Sequence, residues 1–263
     1  MGIQSNVFST NISAAATNKV YYYRSYATNS ADASWADWTS AWMLKPIATN
    51  RWYLASVPVD YGSSASNNLN STLGEQLATG LDGGTDRNNS DNLWFLQSGT
   101  WTRYWLSNTN VWKEATVTND IDADLEIKPG EGFWIKRLTA TPATNIVFNG
   151  RAHTNSTQMT FSTNYWSVFS WPWDSRLESA NAGTTNRGWG FLSAGGTASY
   201  SWLFADNLVG DYNGSTFAIY LRDDGRWYVW GTVTPANVAL EPGKAYKYYH
   251  RGSSSMQWTA PEP

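Results

Sequence analysis

The chain has 263 residues, of which 15% are charged and 41% are apolar, and its formal net charge is −3. A nucleic-acid-binding protein needs a basic surface to neutralise phosphates, so this weakly acidic balance argues against that class. The aromatic content of 16% excludes a disordered chain, and no apolar run approaches the ~20 residues that span a bilayer.

Residues 1–43 are predicted to form a leader with two strand-prone segments. β-Branched and aromatic side chains occupy residues 6–11 and 19–26, as is typical of strands. Trp35, Trp38 and Trp42 follow at spacings of three and four, which fits either one helical face or strand edges around a bend. The leader is too short to fold alone, so we expect it to bind the first unit or another molecule.

A first unit is predicted over residues 44–157. One helix is predicted at residues 70–80, where Thr72 and Glu75 fit a capping box and Gly80 fits the position after the helix end. The remaining elements are strand-like segments at residues 52–59, 93–96, 100–106, 111–115, 133–138 and 145–149.

The second unit, residues 158–263, repeats the first at an offset of 113–115 residues. Duplication of a unit this large predicts two similar bodies rather than a solenoid. We therefore expect an all-β, mainly antiparallel fold of two homologous sandwich-like or barrel-like units with one short helix. The aligned pairs are residues 49–60 with 163–174, 91–93 with 206–208, and the type II Pro-Gly turn region 129–133 with 242–246.

The repeated motif resembles that of a group of bacterial and archaeal proteins. Its marks are Trp52, Ser56 and Pro58 early in the unit, and Pro129-Gly130-x-Gly132-Phe133-Trp134 near its end. Over residues 44–150 and 158–252 the chain is similar to the tandem β-rich repeat of secreted and surface proteins of the verrucomicrobial type. The second unit departs from the motif at Ala245 and Lys247. The resemblance implies export and β structure, and it implies no chemistry.

Composition also indicates a location. Few charges together with 17 Trp and 15 Tyr are typical of exported β proteins. The chain has no Cys, whereas a eukaryotic secreted protein commonly carries disulfides, so a bacterial or archaeal origin is predicted. We therefore predict an extracellular or cell-surface protein that does not span a membrane.

An acidic stretch is the strongest candidate for a metal site. Asp120, Asp122 and Asp124 alternate with apolar residues, so on a strand they share one face and repel one another. Ca²⁺ would relieve this repulsion, and Glu131 follows Asp120 at the spacing of an EF-hand loop. Leu125 stands where that loop needs Gly, and a solvated acidic edge that discourages sheet pairing is an equally good explanation. No other cofactor is predicted.

The sequence carries no recognisable catalytic motif. It lacks the Gly-x-Ser-x-Gly elbow, the phosphate-binding loop and the dinucleotide fingerprint. His153 and His250 lack the neighbouring ligands of a metal site, so we expect them at the surface or capping a backbone group. We therefore predict that the protein is not an enzyme. Glycan hydrolysis by two carboxylates from distant positions is a weaker hypothesis.

The tryptophans divide into two groups. Trp52, Trp112, Trp166 and Trp227 recur in both units on predicted inner strands, which favours core packing. Other aromatic residues occur in one copy only, and these could stack on a sugar, anchor a partner or complete the core. The second group is Trp35, Trp38, Trp42, Trp171, Trp173, Trp189, Trp202 and Tyr200.

Two functions follow as hypotheses. The first is a structural subunit that forms a homopolymer, such as a cell-surface fibre, sheath or layer, in which the leader joins a neighbour's sheet edge. The second is a carbohydrate-binding module that stacks a polysaccharide on Trp173, Trp189 and Trp202. The predicted subunit contacts of the first hypothesis are Val7, Phe8, Val20, Tyr21, Tyr22, Tyr23, Trp35 and Trp38.

Overall fold

In a computed structural model the protein is all-β and mainly antiparallel, which confirms the predicted fold class. No helix within the described ranges is long and apolar enough to cross a membrane. The structure describes residues 15–28, 33–63, 65–97, 99–116, 119–128, 130–138, 144–153, 157–171, 175–176, 190–212, 215–236 and 238–260.

The first unit consists of two main sheets around one hydrophobic core, together with a separate two-stranded hairpin. Its strands are β1 (Val20–Tyr23), β2 (Tyr26–Thr28), β3 (Ala33–Trp35), β4 (Ser40–Ile47), β5 (Trp52–Ser56), β6 (Asn92–Gln97), β7 (Thr100–Leu106), β8 (Trp112–Ala115), β9 (Asp120–Asp122), β10 (Gly132–Lys136) and β11 (Thr144–Arg151). The larger sheet has the order β5-β10-β6-β7-β8-β9, and the smaller one has the order β1-β4-β11. Buried Met43 and Phe148 of the smaller sheet join Leu93 and Phe133 of the larger sheet in one cluster.

The second unit repeats this plan with fewer strands. They are β12 (Gln158–Phe161), β13 (Trp166–Ser170), β14 (Ser175–Arg176), β15 (Asn207–Tyr212), β16 (Ser215–Leu221), β17 (Trp227–Val229), β18 (Ala239–Leu240), β19 (Ala245–Tyr249) and β20 (Met256–Thr259). The order β13-β19-β15-β16-β17 matches β5-β10-β6-β7-β8, and the pair β12-β20 matches β4-β11. Its core includes Phe161, Phe191, Trp227 and Trp258. Since no sheet formed by the described residues closes, the units are sandwich-like and not barrels.

The described part of the leader belongs to the first unit. β1 pairs with β4, and β4 also pairs with β11 over its whole length. The leader boundary predicted at residues 43/44 therefore falls inside one strand. Trp35 ends β3, Trp38 lies in the bend that follows and Trp42 lies in β4, so the strand-and-bend alternative is right and the helical face is wrong. Val7 and Phe8 lie outside the described residues.

The predicted helix exists as α1, Thr72–Ala78, after a short 3-10 turn at Ala65–Asn67, but its capping box is wrong. The N-cap is Ser71, whose side chain makes no capping hydrogen bond and instead donates to the Asn68 carbonyl. Gly80 follows the helix end without adopting a left-handed conformation. A Cβ at Gly80 would lie 2.7 Å from Ile146 Cγ1, so close approach to β11 explains this glycine.

The two units meet through a reciprocal contact with approximate two-fold character. Ala55 forms an antiparallel bridge with Lys244, and the equivalent Phe169 forms one with the equivalent Glu131. The contact uses the turns at Gly130 and Gly243, whose φ values of 89° and 74° are of the kind that a type II turn requires at its third residue. Near the centre a Cβ on Gly132 would lie only 2.3 Å from the Ala245 Cβ. The duplicated sequence thus forms its own pseudo-dimer.

Candidate functional site

The second unit carries a row of aromatic side chains on the side of its sheet opposite the core, which we call the aromatic array. It comprises Tyr200, Trp202, Tyr220, Tyr228 and Trp230. Trp227 points into the core, and Tyr228 and Tyr220, which pair across β16 and β17, point the other way because side chains alternate along a strand. Trp202 packs on this pair, and Tyr200 and Trp230 lie at the two ends.

Neighbouring members of the array are in ring contact. The Trp230 ring centroid lies 6.1 Å from that of Trp202, which lies 6.4 Å from that of Tyr220. The Tyr220 and Tyr228 centroids are 6.3 Å apart. These separations fall in the range in which aromatic pairs stabilise one another. Tyr220 and Tyr228 are themselves buried, so they form a fixed support for the exposed part of the array.

Arg222 occupies the space between two tyrosines of the array. Its Cζ lies 4.5 Å from the Tyr200 ring centroid and 4.3 Å from the Tyr228 ring centroid. The Tyr228 hydroxyl donates a 2.8 Å hydrogen bond to Asp224, which raises the pKa of Tyr228. Tyr228 is thereby fixed next to the guanidinium, and the half-buried Arg222 is in cation–π contact with both rings.

The array lies within an exposed apolar patch. Tyr200, Leu203, Phe204 and Trp230 expose between 63% and 72% of their surface. Single exposed apolar residues are ordinary, but several together mark a surface that contacts something else. The turn that carries Leu203 and Phe204 is ordered by backbone bonds from residues 204 and 205 to the Ser201 carbonyl, and by Asn207 Nδ2, which donates to the Trp202 carbonyl.

A buried carboxylate anchors this region of the chain. Asp206 accepts hydrogen bonds from the backbone N–H groups of Thr197 at 2.9 Å and Arg251 at 2.7 Å, and it contacts His250 Nδ1 at 2.9 Å. The equivalent Asp91 of the first unit accepts from the N–H groups of Asp82 and Leu138. The repeated Asp-Asn-Leu motif therefore has a structural cause, because each Asp fixes a loop to the end of an inner strand.

His250 lies in the interior and not at the surface, although it contacts a backbone group as the capping alternative expects. Its two ring nitrogens bond to Asp206 and to the Ser254 carbonyl. His153 is half-buried, and burial lowers its pKa. Neither side chain forms part of a metal-binding cluster among the described residues.

The structure does not bring the predicted calcium ligands together. Each carboxylate has a different partner: Arg87 for Asp120, Lys113 for Asp122, Asn68 for Asp124 and the Lys128 N–H for Glu131. The alternation on one strand fails because β9 ends at Asp122. Within the described ranges, no three Asp, Glu, His or Cys side chains lie close enough to hold a metal ion.

The predicted subunit contacts divide by burial. Val20 packs against the core of the first unit, and half-buried Tyr21 contacts the Trp42 ring at 5.4 Å. Within the β2–β3 hairpin, the Trp35 ring contacts that of Tyr26, with centroids 4.5 Å apart. Five aromatic residues of this region are 47–54% exposed, and we call them the leader surface: Tyr22, Tyr23, Tyr26, Trp35 and Trp38.

Two of the four recurring tryptophans do not lie in the core. Trp112 and Trp227 are buried as predicted, whereas Trp52 and Trp166 are 48% and 39% exposed. Trp52 faces outward, and Lys136 lies over its ring with Nζ 5.0 Å from the centroid. Five tryptophans share this outer side of the larger sheet, because paired residues face the same way. Trp105 is buried there, and we call the other four the tryptophan face: Trp52, Trp94, Trp101 and Trp134.

The residues predicted to bind carbohydrate are largely replaced by others. Trp173 and Trp189 lie outside the described residues, Trp202 belongs to the array, and Trp171 is buried in the core. Sequence reasoning missed Arg222 and Trp230 as site residues. Side chains alternate along a strand, so the predicted inward position of Trp227 could have placed Tyr228 on the opposite face. No local sequence pattern identifies Arg222 as a site residue.

The fold and the array define the class of this molecule as a two-unit, sandwich-like β protein with exposed aromatic surfaces. The chain matches no protein-family model, no curated protein and no solved structure.

Proposed function

We propose that this protein is a non-catalytic structural subunit that self-assembles at a bacterial or archaeal cell surface. The observation that supports this most is the leader surface, on which five aromatic residues are about half exposed. Aromatic side chains are enriched at the centres of protein interfaces. They are displayed on ordered backbone, since β1 pairs with β4 and β2 pairs with β3. We propose no role for Ca²⁺, because each candidate carboxylate has its own protein partner.

A second apolar surface supports assembly into a filament. The tryptophan face belongs to the larger sheet, whereas the leader surface is attached to the smaller sheet and its hairpin. Two different surfaces on one chain permit a head-to-tail contact, in which the leader surface of one copy docks on the tryptophan face of the next. Such heterologous contacts do not close unless the rotation returns to its start, so they generate filaments.

The test changes both tryptophans of the leader surface and leaves β1 in place. The double variant Trp35→Ser and Trp38→Ser is expected to stay at monomer size in light scattering, while wild type forms elongated objects in negative-stain images. Tyr165→Ser is the matched control, because Tyr165 is 60% exposed but lies outside both surfaces. A wild type that stays monomeric at every concentration, or a double variant that assembles like wild type, would refute the proposal.

The remaining predicted contacts need a separate variant. Deleting residues 1–14 removes Val7 and Phe8 and leaves β1 in place, so the pairing of β1 with β4 is preserved. If the N-terminal segment adds to a neighbour's sheet edge, this deletion abolishes assembly while the thermal midpoint of the monomer stays unchanged. Normal assembly of the deletion variant would restrict the contact to the leader surface.

Carbohydrate binding is the second candidate function, and the aromatic array favours it. The exposed rings of Tyr200 and Trp230 are suited to stacking on sugar rings, and the array lies apart in sequence from the leader surface. Retardation of the protein in gels that contain polysaccharide, lost in Trp230→Ala, would support this candidate. Unretarded migration across a panel of acidic and neutral polysaccharides would rule it out.

A further inference from the structure

We infer that the aromatic array is a binding site for acidic glycans, in which Arg222 pairs with a uronate carboxylate while Tyr200 and Trp230 stack on sugar rings. This inference rests on the carbohydrate-binding candidate and narrows it to one class of ligand. It is independent of self-assembly through the leader surface.

Arg222 carries a charged group with several hydrogen-bond donors. A guanidinium carries five N–H donors and stays charged at all ordinary pH values. Among the residues that the structure describes, no protein group accepts a hydrogen bond from the Arg222 side chain or forms an ion pair with it. Two tyrosine rings contact the group, with Cζ at 4.5 Å and 4.3 Å from their centroids. The donors are therefore oriented but left for a ligand or for water.

The charge of Arg222 favours an anionic ligand. If a neutral ligand covered this half-buried guanidinium, the group would lose water without gaining a counter-charge, and that desolvation costs free energy. A carboxylate removes that cost, and it can accept two parallel N–H bonds from the planar group. Asp224, two residues after Arg222, is engaged by the Tyr228 hydroxyl and the Arg226 N–H. A uronate thus supplies the anion that the protein itself does not.

The size of the exposed apolar patch favours a small ligand. Its four exposed side chains, Tyr200, Leu203, Phe204 and Trp230, present roughly 500 Å² of apolar surface, given that an aromatic side chain buries about 150–250 Å². A stable protein interface needs about 800 Å² from each partner. The patch is too small for a lasting protein complex by itself, and its size suits a short run of sugar rings. Arg222 near one end and Trp230 at the other set the direction of the chain.

The test uses one polymer in two chemical states. Polygalacturonate carries a free carboxylate on each sugar, and methyl esterification of the same polymer removes the charge while keeping the ring. Titration calorimetry with short oligomers of each is expected to show binding of the free acid and at least roughly tenfold weaker binding of the ester, because a charge-assisted bond is lost. Raising the salt concentration is expected to weaken only the free-acid complex.

Protein variants localise the site. Arg222→Gln is expected to weaken free-acid binding by roughly tenfold to a hundredfold, and Arg222→Lys to restore only part of it, since Lys cannot bind bidentately. Tyr200→Ala and Trp230→Ala are expected to weaken binding to both polymers. Arg151→Gln is the matched control, because Arg151 also lies over an aromatic ring, at 4.5 Å from the Trp38 centroid, but in the first unit. Unchanged near-ultraviolet circular dichroism shows that each variant is folded.

The possible outcomes distinguish failure of the acidic-glycan inference from failure of the carbohydrate-binding candidate. Equal binding of free acid and ester by wild type would overturn the acidic-glycan inference and leave carbohydrate binding standing. Absence of binding to both polymers and to neutral glucans would overturn both. A variant of the array that abolishes self-assembly instead of glycan binding would assign the patch to a protein contact. Because the polymer comparison uses wild type, the test does not depend on any variant folding.

Discussion

Lys45 Nζ donates a 2.8 Å hydrogen bond to the Gly243 carbonyl, so a buried cation of the first unit is tied to the Pro-Gly turn of the second. Burial, with a smaller contribution from nearby Lys244, lowers the pKa of Lys45 from 10.5 to about 8. The equivalent position of the second unit is Met159, whose side chain lies near Gly130. The pseudo-dimer is thus asymmetric at this contact, with a charge on one side and a thioether on the other.

Lys45→Met is expected to change how stability depends on pH. Between pH 8 and 10.5 the unfolded chain keeps the Lys45 proton and the folded chain has lost it, so the free energy of unfolding of wild type rises with pH in this window. At about 1.4 kcal/mol per pH unit the full rise is about 3 kcal/mol. The variant lacks this contribution. Its free energy of unfolding is therefore expected to exceed that of wild type most near pH 7, and the difference is expected to disappear by pH 10.

Urea unfolding of wild type and Lys45→Met at pH 7, 8, 9 and 10 measures the difference directly. Lys128→Met is the control, because Lys128 is exposed and its curve is expected to run parallel to that of wild type. Parallel curves for Lys45→Met as well would mean that the Lys45 charge costs nothing in the folded protein. The loss of the hydrogen bond to Gly243 is expected to lower the free energy of unfolding of the variant by about 1 kcal/mol at all pH values.

Gly132→Ala tests the centre of the junction between units. A Cβ there would lie 2.3 Å from the Ala245 Cβ and 2.7 Å from Val168 Cγ1, so overpacking is expected to cost about 1–3 kcal/mol of unfolding free energy. Adding Ala245→Gly removes the nearer clash and is expected to recover more than half of the loss. Additive effects of the two substitutions in a double-mutant cycle would show that the two positions do not touch in solution.

His153→Gln is expected to reduce the sensitivity of the protein to acid. Burial lowers the pKa of His153, so on acidification below pH 6.5 the unfolded chain takes up this proton before the folded chain does. The free energy of unfolding of wild type therefore falls in this window, down to the lowered pKa, and the stability is fully present above pH 6.5. Thermal midpoints at pH 7.5 and 5.5 are expected to differ less in the variant. An equal drop in both proteins would contradict this.

Local features of the fold could be predicted from the sequence, because their causes lie within a few residues. The Pro-Gly turns need positive φ at Gly130 and Gly243. The offset of the repeat predicted two similar units, and their sheet orders match. The capping box failed because Ser/Thr followed by Glu is a short pattern, and Ser71 is held instead by Asn68.

The candidate site could not be predicted in full, because it depends on which face of each strand is covered. Trp52 and Trp112 both begin strands in the repeat, yet only Trp112 meets the helix, where its Nε1 donates to the Gly74 carbonyl. Arg222 acquires its position between Tyr200 and Tyr228 only once two separate segments fold together. Register and long-range packing decide such cases, and a single sequence contains neither directly.

The contrast between Trp112 and Trp52 gives the final prediction. Trp112 is 1% exposed, so Trp112→Ala leaves a large cavity and removes the hydrogen bond to the Gly74 carbonyl, and it is expected to cost about 3–5 kcal/mol of unfolding free energy. Trp52 is 48% exposed, so Trp52→Ala is expected to cost roughly 1 kcal/mol or less and to keep the thermal midpoint within a few degrees. Trp52→Ala is also expected to weaken assembly if the tryptophan face receives the leader surface. Equal destabilisation by the two substitutions would place Trp52 in the core and remove this face from the assembly contact.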